Sequence, residues 1–165
     1  MANPTKAIVA AGAICGIMDI TAALVVYGTM GAKPLRLLQG IAGGVLGPET
    51  YRGGLATALL GLMLHFVIAF GAATVFYIAS RGIRFLVDSA ALSGILYGIA
   101  VYFFMQRIVI PLSRAHRSPF SLKFMIIGII IHIFCVGLPI AFSIRKHSRW
   151  PEGWAVQGMA GCLRH

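Results

Sequence analysis

Charge is what this sequence has least of. Of its 165 residues 11% are charged, and Asp and Glu together number four. A soluble domain is about a quarter charged. Hydrophobic residues make up 59% of the chain before its 20 glycines are counted, more apolar surface than a domain of this length hides from water. A water-soluble fold is thereby set aside, and lipid is the remaining solvent. The length allows one compact membrane domain and no separate soluble one.

Cysteine is scarce as well. Cys15, Cys135 and Cys162 form no C-x-x-C or C-x-x-C-H pattern, which removes the signals for a zinc ribbon and for covalent haem attachment. Hydrolase triads, P-loops and dinucleotide fingerprints are missing too, so an enzyme is not expected. The lack of acids leaves a net charge of +10. The basic residues lie beside apolar runs, where they meet anionic headgroups. No basic stripe stands free of those runs, so nucleic acid is not an expected partner. The first apolar run, residues 7–32, is far longer than a signal-peptide core of about 7–15 residues and contains Asp19. It reads as an uncleaved span.

What is present predicts an all-α membrane protein with four transmembrane helices, at about 7–30, 54–80, 89–112 and 122–144. Each is long enough to cross about 30 Å of hydrocarbon at about 1.5 Å per residue. Helices are required there because lipid offers the backbone no hydrogen-bond partners. Between the first two spans, residues 34–47 predict a short interfacial amphipathic helix, started by Pro34 and ended at Gly47-Pro48. Leu35, Leu38, Ala42, Val45 and Leu46 fall near one face of it, with Arg36 and Gln39 off that face. Residues 1–149 thus form one transmembrane domain. Residues 150–165 form a short tail whose Trp150 and Trp154 suit headgroup depth. Four spans put both termini on one side, and we expect the cytoplasmic side. The positive-inside rule does not decide this, since seven Lys and Arg fall on each side.

The chain reads as one helical hairpin written twice. The first and third spans share Gly-x-x-x-Gly-Ile, at residues 12–17 and 94–99. The second and fourth share Gly-x-x-x-His, at residues 61–65 and 128–132. Two spans per copy make both copies insert the same way, with a pseudo-twofold axis along the membrane normal. Small residues at this spacing let helix backbones approach closely.

Three ionisable residues, Asp19, His65 and His132, fall near the middle of their spans. Such residues usually face the bundle interior and pair. Cys15 shares a helix face with Asp19, and Cys135 shares one with His132. Together they predict a buried polar cluster of Asp19, His65, His132, Cys15 and Cys135. Three uses stand open for it. The cluster can hold helices together by hydrogen bonds, move a proton or ion, or bind haem b or a metal between His65 and His132. Gly61 and Gly128, each four residues before its histidine, would leave room for a flat ring.

The segments Arg36-Leu-Leu-Gln-Gly-Ile-Ala, Gly53-Gly54, Leu64-His65-Phe66, Pro119-Phe120-Ser121 and Val136-Gly-Leu-Pro139 give the chain a further likeness. Over about residues 7–146 it resembles a family of small uncharacterised bacterial inner-membrane proteins, distantly similar to the YagU-like group. The resemblance implies a bacterial cytoplasmic membrane location and several spans, and carries over no functional residue. The expected function is therefore that of a non-enzymatic, transporter-like or accessory membrane subunit without a cofactor. Its partners would be the lipid bilayer and either further copies of itself or a larger membrane complex. The alternative is a membrane redox protein built on His65 and His132.

Overall fold

In the computed structural model, residues 3–115 and 121–147 are described. The expected tail at 150–165, with Trp150 and Trp154, lies outside them. The protein is an all-α membrane fold, with four helices long and apolar enough to cross a bilayer: Pro4–Thr29, Gly54–Gly82, Ala90–Leu112 and Leu122–His147. Among the described residues there is no β-strand.

Local chemistry sets the ends of these helices. Pro4 opens the first span, where a missing N–H costs nothing, and the Asn3 side chain accepts from the Lys6 N–H at 3.3 Å. Gly31, at φ 89°, turns the chain out of it. The second span starts at Gly54, at φ 56°, and a single helical turn, Phe85–Asp88, leads into the third. Two hydroxyls of the second span are satisfied on their own helix, Thr74 donating to the Phe70 carbonyl at 2.8 Å and Ser80 to the Tyr77 carbonyl at 2.7 Å. In hydrocarbon no water would serve them.

Both later spans contain one π-helical turn, at Met105–Val109 and at His132–Gly137. Prolines account for both. Pro111 and Pro139 have no N–H, and each ring presses on the carbonyl four residues back, at Arg107 and Cys135. The helix widens ahead of each. The Ile110 N–H bonds back to Met105 and the Leu138 N–H to Ile133, five residues in each case.

The first span packs against the second and the fourth, and the third packs against the fourth. The Tyr97 hydroxyl reaches across to the Ala72 carbonyl at 2.7 Å, tying the third span to the second. The tight core is small-residue packing around Phe76, Ile140 and Ile144, with Ala11, Ala73 and Ala90 between them. Leu59, Met63 and Val67 lie on the outer face of the second span, more than half exposed. That is the surface lipid covers.

Both Gly-x-x-x-Gly motifs face the span that follows them. Gly12 and Gly16 receive the rings of Phe70 and Phe66. Gly94 and Gly98 meet backbone, the Gly137 carbonyl and the His132 carbonyl at the π-helical turn.

The helix after the first span, Pro34–Leu46, forms where the sequence predicts one. Gln39, Ala42 and Gly43 are its buried residues, while Leu35, Val45 and Leu46 stay exposed. The apolar side thus turns to lipid, and the polar and small residues turn to protein. The reason is Gly61. With no side chain there, the Leu38 carbonyl and the Ala42 N–H group come against the second-span backbone. A Leu or Val on the inner face would hold the two helices apart.

Candidate functional site

His65 is carried by the second span and faces the first. Its Nε2 lies 2.9 Å from the Gly16 carbonyl oxygen, and its Nδ1 lies 3.9 Å from Asp19 Oδ2. The side chains of His65 and Asp19 are 12% and 20% exposed. The imidazole therefore bridges two points three residues apart on one turn of the first span. Its ring also meets the edge of Phe66, with centroids 5.5 Å apart. Phe66 in turn occupies the notch at Gly16. Glycine at 16 is what lets the second span come close enough for His65 to reach a backbone carbonyl.

Cys15 is buried one turn before Asp19 and lies near both Asp19 and Cys135. Cys135 sits in the π-helical turn of the fourth span, also near Asp19. Both thiols are free. Of the five residues expected in the cluster, Asp19 and His65 are in direct contact, with Cys15 and Cys135 in the wider surroundings of Asp19.

His132 is engaged elsewhere. Its Nδ1 lies 2.8 Å from the carbonyl of Gly128 on its own helix, and its ring packs edge-on against Tyr102 at 5.4 Å. Among the described residues no hydrogen bond or ion pair joins it to Asp19 or His65. The expected room for a ring is filled as well. The Leu38 carbonyl stands at Gly61, and the Tyr102 ring stands at Gly128. His65 Nε2, the nitrogen a haem iron would take, is held by Gly16. These contacts occupy His65 Nε2 and both glycine notches on which the alternative of haem between His65 and His132 was built. Among the described residues, no three His, Cys, Asp or Glu side chains gather as a metal site needs.

A second polar knot, unforeseen from sequence, lies where the short helix meets the second span. Gln39 donates from Nε2 to the Gly54 carbonyl at 2.9 Å and to Thr57 Oγ1 at 3.3 Å. The Thr57 hydroxyl donates to the Thr50 carbonyl at 2.7 Å, and the Thr50 hydroxyl to the Gln39 carbonyl at 2.9 Å. Gln39 Oε1 is buried without a partner among the described residues. The knot fixes the short helix and the Gly47–Arg52 3₁₀ turn against the second span. A glutamine off the apolar face was its one visible signal. Glu49 and Arg52 pair at 3.3 Å on the surface, with side chains 73% and 85% exposed.

The contrast between the two ion pairs gives a test. Asp19→Ala strips His65 of its acid inside the bundle, whereas Glu49→Ala breaks a solvated pair of the kind that contributes little. In mild detergent Asp19→Ala lowers the melting temperature by several degrees more than Glu49→Ala. Equal melting temperatures would take Asp19 out of the buried group.

Comparison of the chain with protein-family models, with curated proteins and with solved structures finds no match.

Proposed function

We propose that this chain is a non-enzymatic, transporter-like protein of the bacterial cytoplasmic membrane, with both termini in the cytoplasm. Its working centre is the Asp19–His65 pair. One observation carries the reading: an acid and an imidazole lie within ion-pair distance near the middle of two hydrophobic spans. Ionisable residues at that depth are expensive and mark pathways for ions, protons or small polar solutes. The resemblance to small bacterial inner-membrane proteins supports the location.

The repeated motifs support a duplicated hairpin as the frame. In both copies the Gly-x-x-x-Gly face is the one its next span occupies. Asp19 and His65 both belong to the first copy, and the fourth span packs against its first span. Rocking of one half against the other would thus change access to the pair. The π-helical turn at His132–Gly137 supplies the irregular backbone beside it. Such turns are common at functional sites.

The test is flux in proteoliposomes loaded with a pH-sensitive or monovalent-cation-sensitive dye. The wild-type chain moves ions down an imposed gradient at least tenfold faster than Asp19→Asn reconstituted at equal density. If the two are indistinguishable from empty vesicles, while the native protein co-purifies with a larger membrane complex, the chain is an accessory subunit.

A further inference from the structure

We infer that Asp19 and His65 together form a binding site for one exchangeable proton, held between His65 Nδ1 and the Asp19 carboxylate. This names the ligand of the pair on which the proposed function rests. Its test reads the proton itself, so a chain that transports nothing can still be found to hold it.

His65 Nε2 lies against the Gly16 carbonyl oxygen. A carbonyl oxygen has no proton to give, so the 2.9 Å contact requires the hydrogen to sit on His65 Nε2. A neutral imidazole carries one N–H. With that hydrogen committed to Gly16, Nδ1 presents a bare lone pair, and it faces Asp19 Oδ2 at 3.9 Å. An ionised carboxylate has lone pairs only. Two acceptors cannot face each other stably at such depth, where an unpaired charge is costly. A second proton resolves the conflict, either on Nδ1, giving imidazolium beside carboxylate, or on Asp19, giving a carboxyl beside neutral imidazole. Both forms leave the pair with no net charge. Releasing the proton breaks the Nδ1–H or the Oδ2–H bond and leaves its electron pair behind. The pair then carries one negative charge.

Among the described residues, the ion-pair contact of Asp19 is with His65. Cys15 and Tyr27 lie near Asp19 from the first span, and Cys135 lies near it from the fourth. The third span sends Tyr97 towards Cys15. All four are thiols or phenols. The basic residue of the first span, Lys6, is thirteen residues from Asp19, about 20 Å along the helix. In the second span Arg81 is sixteen residues from His65, about 24 Å away. The proton on the pair is the local counter-charge. His132 makes the opposite choice: its Nδ1 is the nitrogen at a carbonyl, 2.8 Å from Gly128. The two midplane histidines therefore carry different hydrogens and are separable by tautomer.

The full chain, labelled with ¹⁵N-histidine and ¹³C-aspartate and held in lipid bilayers, is examined by magnetic resonance near neutral pH. His65 is assigned by the signal lost in His65→Gln, and Asp19 by the signal lost in Asp19→Asn. The expected result has two parts: His65 Nε2 is protonated, and either Nδ1 is protonated or Asp19 is a neutral carboxyl. On alkaline titration the wild type releases one proton more than Asp19→Asn. A bare His65 Nδ1 together with an ionised Asp19 in one sample would overturn the proposal. A bare Nε2, or equal proton release from wild type and Asp19→Asn, would do the same. If either variant fails to fold, the wild-type histidine tautomer and carboxyl state decide on their own.

Discussion

Gly137→Ala should be among the most damaging single methyl additions available in this chain. The new Cβ would overlap the Gly94 carbonyl oxygen and press on the Gly98 backbone. Overpacked cores usually escape by rotating a side chain, but here every atom in the way is main chain. The third and fourth spans would have to separate along their whole contact, including the π-helical turn at His132–Gly137. The cost falls at the upper end of that for small-to-large substitutions, about 3 kcal/mol. That corresponds to a melting temperature lower by on the order of 10 °C. Gly71→Ala is the control, because nothing lies within 4 Å of its added methyl. It should leave stability within about 0.5 kcal/mol of the wild type. Equal losses from the two would mean that the third and fourth spans do not meet at Gly137.

Gly61→Ala collides just as directly, with the Leu38 carbonyl, but its effect is local. The Pro34–Leu46 helix is held by its contact with the second span and by the Gln39 knot. A thirteen-residue helix without that contact is marginal by itself. The expected outcome is undocking at a cost of about 1–3 kcal/mol. Amide hydrogen exchange over residues 38–43 should then run about ten- to a hundredfold faster, with exchange in the third and fourth spans unchanged. Uniform acceleration across the chain would show that the short helix supports the whole bundle. No acceleration would show that it does not rest on Gly61.

The four spans were legible because lipid imposes a simple demand, a long apolar run closed by turn residues and basic groups. Which side of each span faces protein was less legible. These helices are apolar around their full circumference, so periodicity carries little information. Glycine spacing gave the best pointer, and Gly12, Gly16, Gly94 and Gly98 all lie in interfaces. The short helix was legible as amphipathic, with Leu35, Val45 and Leu46 exposed, but the side that docks, with Gln39, Ala42 and Gly43, was not.

Within the site, the depth of Asp19 called for a histidine partner without choosing between His65 and His132, and the structure pairs it with His65. The Gly16 carbonyl was not legible, since every residue has one and sequence does not say which is within reach. His132 looked equivalent to His65 because both follow Gly-x-x-x. The difference lies in what fills the glycine notch, a helix backbone at Gly61 and the Tyr102 ring at Gly128. Pro139 was present in the sequence, but its consequence, a widened turn that includes His132 and Cys135, emerges only when the helix is traced through it.

The central claim is that His65 leaves its own helix to bridge the Gly16 carbonyl and Asp19. It is tested most directly by a through-space measurement in bilayers, between a ¹³C label at the Gly16 carbonyl and ¹⁵N in the His65 ring. Strong transfer to Nε2, weaker transfer to Nδ1 and none in His65→Gln is the expected result. Transfer absent from both ring nitrogens would place His65 away from the first span and contradict the site as described.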